Sequence, residues 1–243
     1  MRTVTSRITI RGKAVEFRYP ESENLKTAIG NILQGREYPI MALPDYQPSV
    51  IVDVGANVGA AALFFHSAWP EATIHCYEPA RDCFACLKAN VKAFPTIHPH
   101  HRGLYDKDCE TTLYMGFEQP AQNSVVAYAG TTDDGETIRL VGADEELRAR
   151  GIKDISILKL DTEGCEVPIL SDLNARLGGI DMIYLEYHSE ADRREIDAML
   201  ADRFQLLWSR AERLHTGLCL YISRPMTERY PELEIARIDR PSF

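Results

Sequence analysis

The sequence predicts an α/β protein built on a mostly parallel sheet, and three observations carry that expectation. From Val50 onward, short apolar runs alternate with segments of helical periodicity, the order expected of βαβ units. The runs at 50–54, 155–160 and 182–187 are nearly continuous in apolar residues, as befits strands covered on both faces. The first of them leads through a small-residue turn, GANVG at 55–59, straight into an apolar helical segment.

Taken in order, the 243 residues open with ITIRGKAVEFRY (8–19), which partly alternates in polarity around Arg11, Gly12 and Lys13 and predicts a β-hairpin. Residues 24–34 place Leu25, Ala28, Ile29, Ile32 and Leu33 at helical intervals, with Asn24 as the expected N-cap. A loop holding Pro39, Pro44 and Pro48 separates this extension, residues 1–48, from a main domain at 49–224. In that domain strands are expected near 50–54, 73–77, 97–102, 111–115, 155–160, 182–187, 204–208 and 218–223, and helices near 58–68, 80–93, 144–150, 165–175 and 192–201. The stretch 116–143, which contains Tyr128, reads as an insertion without a motif, and the proline-punctuated tail at 225–243 is expected to wrap the surface or reach a partner.

Composition narrows the class. A chain 45% hydrophobic and 26% charged is ordinary for a globular protein. A formal net charge of -9 argues against nucleic acid as a partner, because phosphate binding relies on clustered Lys and Arg. No apolar run nears the ~20 residues that span a bilayer, and the start MRTVTSRITIRGK lacks the apolar centre of a secretory signal, so the cytoplasm is the expected compartment. The six cysteines (76, 83, 86, 109, 165 and 219) read as reduced, structural thiols. Cys83 and Cys86 form a lone C-x-x-C on a helical segment, and strand alternation in HPHH points His98 and His100 one way and His101 the other, a poor arrangement for sharing an ion.

The turn after the first strand places a helix N-terminus beside a ligand. Gly55 and Gly59 let the backbone approach that ligand, and Asn57 is a residue type that tolerates left-handed dihedrals. A dinucleotide fingerprint would put its second glycine where Asn57 stands, and that glycine is what admits a pyrophosphate. S-adenosylmethionine has no phosphate, so a turn lined by Asp53, Gly55, Asn57 and Gly59 need only meet an adenosine and a zwitterionic amino acid. Glu78 follows the strand TIHCY, 25 positions beyond Asp53, close to the offset of ~20 at which an acid accepts hydrogen bonds from ribose hydroxyls.

These residues resemble the FkbM-type S-adenosylmethionine-dependent methyltransferases of class I. The matching segments are IVDVGANVG (51–59), YEP (77–79), ILKLDTEGCE (157–166) and YLEYH (184–188). The resemblance implies a Rossmann-like, doubly wound sheet of seven strands, one of them antiparallel near the end. It also implies that Asp106, in HRGLYDKDCE, sits near the adenine with Leu104 beside it.

Ligands of open α/β sheets lie beyond the carboxyl ends of the strands. Asp161 and Glu163 follow one such strand, while Glu186 and His188 close the next, so the four are expected to converge near the methyl group. Methyl transfer to oxygen needs an acceptor held at near-attack distance and a group to take its proton. His188 is the leading general base and Asp161 the second, with Asp161 also against the cofactor and with Glu163, Glu186 and His215 facing the substrate or supporting the site. Oxygens from Asp161, Glu163 and Glu186 are of the kind that gather magnesium, but no metal is expected.

The expected activity is O-methylation of a hydroxyl on a small molecule, sugar or glycan. A nicotinamide-dependent oxidoreductase, disfavoured by Asn57, and a cofactor-binding module without chemistry are the alternatives. An exposed apolar surface on the extension would suit either a homo-oligomer or an acceptor pocket.

Overall fold

The computed structural model describes residues 2–116, 131–232 and 234–235. Tyr128 lies outside these residues. The hairpin forms from β1 (Thr3–Ile10) and β2 (Lys13–Pro20), joined by a two-residue turn in which Arg11 and Gly12 both take positive φ. Helix α1 (Glu23–Leu33) follows, and its cap is Ser22 rather than Asn24: the Ser22 hydroxyl accepts from the Leu25 amide at 3.3 Å. The correction has a simple cause, since Ser22 is extended while Asn24 already lies inside the helix.

After a short β3 (Met41–Ala42), the main fold runs β4 (Val50–Val54), α2 (Ala60–Ala68), β5 (Thr73–Tyr77), α3 (Arg81–Val91) and β6 (Ile97–His100). It continues through β7 (Gly103–Tyr105), β8 (Cys109–Gly116), β9 (Thr131–Gly142), α4 (Ala143–Ala149), β10 (Ile157–Leu160), α5 (Glu166–Asp172), β11 (Met182–Tyr187) and α6 (Glu190–Leu200). The chain then forms β12 (Phe204–Ala211), β13 (Gly217–Ser223), α7 (Arg224–Arg229) and β14 (Glu234–Ile235).

Seven strands make the main sheet in the order β12-β13-β11-β10-β4-β5-β6. Only β13 runs against its neighbours, pairing antiparallel with both β11 and β12. Alternate residues of the central strands feed two cores. Ile51, Ile74, Ile157, Met182 and Tyr184 meet α1, α2 and the hairpin on one face. Val52, Val54, Leu158, Leu160, Ile183 and Leu185 meet α4, α5 and α6 on the other. Because Ile8, Phe17, Leu25, Leu33 and Tyr38 belong to the first core, the N-terminal residues are packed into the main fold.

Several sequence expectations change. The apolar run at 111–115 is part of β8, which lies outside the main sheet in a separate three-stranded sheet ordered β7-β9-β8. Its partner β9 occupies the end of the stretch read as a motif-free insertion, since strand periodicity does not reveal which strand it pairs with. The tail beyond 224 begins as α7, and β14 pairs with β3. Of the three neighbouring histidines, His98 and His100 pack on His75 while His101 stacks on Phe84, as alternation requires. All six cysteines are free thiols. Among the described residues, no helix is long and apolar enough to cross a membrane.

Candidate active site

The first strand of the main fold, β4, has β10 on one side and β5 on the other, so the direction of winding reverses between β4 and β10. Such a reversal opens a crevice at the carboxyl ends of the strands. The turn after β4 closes tightly there: Gly55, Asn57 and Gly59 take φ of 73°, 48° and 88°. A Cβ on Gly55 would fall 1.7 Å from the Asp161 carbonyl oxygen, so only glycine fits against the β10 exit. Gly59 serves packing instead, because its missing Cβ makes room for Leu87 of α3.

Glu78 holds the far side of this turn. One carboxylate oxygen accepts from the Asn57 amide and the other from the Ala80 amide, both at 2.8 Å. Burial pushes its pKa up to about 7, against the pull of those two amides. The resulting cavity of about 90 Å³ is walled by Gly55, Asn57, Glu78, Leu104, Asp161 and Glu163. Leu113, Ile138 and Leu140 of the three-stranded sheet give it an apolar side that sequence reasoning missed.

A second cavity of about 380 Å³ lies on the other side of the same turn. It is lined by α1, by Glu37 and Tyr38 after it, by Lys159, Glu186 and His188, and by Glu212, Arg213 and Thr216 of the β12–β13 connection. Gly55, Asn57, Asp161 and Glu163 line both cavities and form the wall between them.

Two buried charges that the sequence reading passed over organise this wall. Lys159 stands opposite Asp53 in the β10–β4 register, and its ammonium pairs with the Asp53 carboxylate at 3.1 Å. It also donates to the Gly55 carbonyl at 2.7 Å and lies 3.6 Å from Asp161. Burial disfavours the charge on Lys159, but Asp53 and Asp161 outweigh it and hold the pKa above the usual lysine range. Asp53 therefore secures the turn through Lys159 and does not line either cavity.

Glu166, 1% exposed, accepts from the Thr162 amide at 2.8 Å, the Thr162 hydroxyl at 2.9 Å and the Gly164 amide at 3.1 Å. These bonds hold a loop in which Glu163 and Gly164 take φ of 56° and 109°. The same carboxylate lies 3.3 Å from His188 Nδ1, while His188 Nε2 is 3.1 Å from Glu163 and 3.8 Å from Glu186. Burial alone would lower the histidine's pKa. Pairing with Glu166, then Glu163 and Glu186, pushes it up to about 10.

The upward shift of its pKa weighs against His188 as the general base, because a ring that keeps its proton has no lone pair with which to accept another. Asp161, Glu186 and His188 do bring one potential ligand atom each to within 4.8 Å of one another. Around His188 the carboxylates repel: burial, Asp161 and Glu163 raise Glu186 well above its usual range, and burial with Asp161 raises Glu163 to about 8. Asp106 is exposed beyond the end of β7 and His215 is exposed in the β12–β13 connection, and neither lines either of these two cavities.

Residues 53–214 match the methyltransferase FkbM domain. The chain belongs to the FkbM methyltransferase family. A domain of this family takes its methyl group from S-adenosylmethionine. The chain is 24% identical over 157 residues to the hexuronic acid methyltransferase AglP of Haloferax volcanii, covering 64% of this chain and 63% of that protein. It is 28% identical over 188 residues to the 31-O-demethyl-FK506 methyltransferase FkbM of Streptomyces tacrolimicus, covering 65% and 70% of the two. The crystal structure of an FkbM methyltransferase from Methylobacillus flagellatus superposes with a TM-score of 0.52 at 16% identity, over 72% of this chain and 43% of that one. That likeness shows a shared Rossmann-like fold, and the chain spans less than two thirds of the archaeal relative and of the solved protein.

Proposed function

We propose that this FkbM-family chain transfers a methyl group from S-adenosylmethionine to a hydroxyl of a small molecule or sugar. One observation carries the reading: the two cavities share the wall Gly55, Asn57, Asp161 and Glu163, so a donor in the smaller and an acceptor in the larger meet across it. The smaller cavity suits the donor. Glu78 offers carboxylate lone pairs to the ribose hydroxyls, the β8–β9 side chains offer an apolar wall to the adenine, and the Asn57 side-chain oxygen is buried with no hydrogen-bond partner in the structure. An ammonium of the amino-acid end would satisfy it. Bound S-adenosylmethionine supplies an electrophilic sulfonium methyl.

The chain's own residues then have distinct tasks. Lys159 fixes the Gly55 carbonyl and steadies Asp161 from behind. Asp161 would accept the proton that the acceptor's hydroxyl loses on methylation. His188 contributes a fixed positive charge among the carboxylates of the acceptor cavity. Relatives named as methyltransferases of a hexuronic acid and of 31-O-demethyl-FK506 make a hydroxyl-bearing acceptor the natural class, and six free thiols suit a reducing, cytoplasmic setting.

Calorimetry tests the reading at its base: S-adenosylhomocysteine binds and NAD does not, and NAD binding without S-adenosylhomocysteine binding overturns it. With the methyl donor labelled and a panel of sugar and polyol acceptors, Asp161→Asn loses ~100-fold to 10,000-fold in turnover while S-adenosylhomocysteine still binds. Unchanged turnover removes Asp161 from the proton transfer.

A further inference from the structure

We propose that Glu166 is a positioning residue of the methyl-transfer site, which locks the Thr162–Gly164 turn against the donor cavity and aims the His188 ring into the acceptor cavity. The inference rests on the two-cavity reading above. Glu166 touches neither cavity, so it acts through the residues it holds.

The case is geometric. Thr162 and Glu163 line the donor cavity, and Glu163 and His188 line the acceptor cavity. They come from two parallel neighbours, the exits of β10 and β11. One buried carboxylate reaches both exits, with three hydrogen bonds to Thr162 and Gly164 and an ion pair to His188 Nδ1. The loop it spans needs such an anchor, because left-handed backbone at Glu163 is unfavourable for a residue with a side chain and persists only when its surroundings impose it. By occupying Nδ1, Glu166 also leaves Nε2 directed at Glu163 and Glu186.

The charged groups facing His188 are Asp161, Glu163 and Glu166 from the β10–α5 segment and Glu186 from β11; Arg213, across the cavity, bears on Glu163. Burial opposes the charge on Glu166, yet the contact and charge of His188 together with the Thr162 amide hold its carboxyl below the usual range. Each partner thus keeps the other ionised. Glu166→Gln retains an oxygen for Thr162 and His188 but removes the negative charge that faces the imidazole, and it presents an amide N–H₂ where the Gly164 amide expects an acceptor.

The test is an NMR titration of the His188 ring nitrogens in the full chain, paired with calorimetry using S-adenosylhomocysteine. In the unsubstituted protein the ring stays protonated past pH 9, in keeping with a pKa of about 10. In Glu166→Gln its midpoint falls by at least ~1 unit and S-adenosylhomocysteine affinity drops about tenfold, the scale of a small misplacement in a preorganised site. Thr162→Val, which removes only the hydroxyl bond to Glu166 and keeps its charge, leaves the His188 midpoint in place.

A His188 midpoint near 6.5 in the unsubstituted protein, or one that does not move in Glu166→Gln, overturns the proposal. Should Glu166→Gln not fold, Glu166→Asp, with its charge kept but its reach shortened by a methylene, must lower the midpoint instead. Failure of the unsubstituted chain to bind S-adenosylhomocysteine strikes the donor reading and leaves the titration free to judge Glu166.

Discussion

The donor and acceptor cavities share four residues and are otherwise built by opposite means. The donor cavity is small, partly apolar, and shaped by backbone: left-handed turns at Gly55 and Asn57, amide bonds to Glu78, and side chains of the three-stranded sheet. The acceptor cavity is about four times larger and carries carboxylates contributed by the segment after α1, the exits of β10 and β11, and the β12–β13 connection. The difference separates two kinds of recognition. On the proposed reading, the cofactor is met largely by fixed main chain, whereas the acceptor is met by side chains from the β10 and β11 exits and from the elements that flank them.

The largest expected effect tests whether the two cavities are functionally separate. Glu78→Ala removes the carboxylate that faces the donor and braces the Asn57 amide, and hydrogen bonds to a charged group are each worth about 1.5–3 kcal/mol. S-adenosylhomocysteine affinity is expected to fall by ~10- to 150-fold in calorimetry. Glu212→Gln, on the acceptor side, is expected to leave that affinity within about twofold. Equal losses from the two substitutions would make the site one undivided pocket.

The same contrast explains what the sequence discloses. The donor side was legible because its parts are contiguous: the strand, GANVG and the helix lie in one stretch, and Glu78 sits at the end of the next strand. The winding of the main sheet was legible for the same reason, from alternating apolar runs. Lys159 and Glu166 were within reach, since a lysine inside an apolar strand and a glutamate opening a helix both demand partners, but only the β10–β4 register names Asp53 and only the fold brings His188 to Glu166. Glu37, Tyr38, Leu113 and Ile138 carried no local signal at all. They arrive at the cavities through tertiary contacts between distant segments, and the pairing of β8 with β9 across residues 117–130 has no signature in either strand alone.

An intermediate effect should come from pH. Burial, with Asp161 next, raises Glu37 to about 7 and Glu163 to about 8, and Glu186 stands higher still. A carboxyl whose folded pKa exceeds its unfolded value near 4.5 keeps its proton in the folded state after the unfolded chain has lost it, so stability falls as pH rises through that interval. His188, raised to about 10, contributes stability that is complete below its unfolded value near 6.5 and lost as pH climbs through 10. Both kinds of group act in the same direction. The melting temperature of the ligand-free protein should therefore drop by about 5 °C or more between pH 6 and pH 9, and Glu37→Gln with Glu186→Gln should flatten the slope. A melting temperature that rises across this window would mean that the acceptor-side carboxylates are not under strain.

The smallest effect isolates the extension's contribution to the acceptor wall. Helix α1 lines that cavity through Asn24, Thr27, Ala28 and Asn31, and its first turn is satisfied by the Ser22 hydroxyl. Ser22→Ala leaves the Leu25 amide without its partner, a loss of about 1 kcal/mol at a helix N-terminus, which for a domain of this size lowers the melting temperature by ~2–4 °C. Asn24→Ala makes no such change, because Asn24 is a helical residue whose replacement by the best helix former is neutral or favourable. Since α1 does not touch the donor cavity, S-adenosylhomocysteine affinity should be the same in both variants. If Ser22→Ala instead weakens that affinity along with stability, α1 and the donor turn move as one body, and the separation between fixed donor site and variable acceptor wall fails at the point where the two are packed together, through α1 against α2.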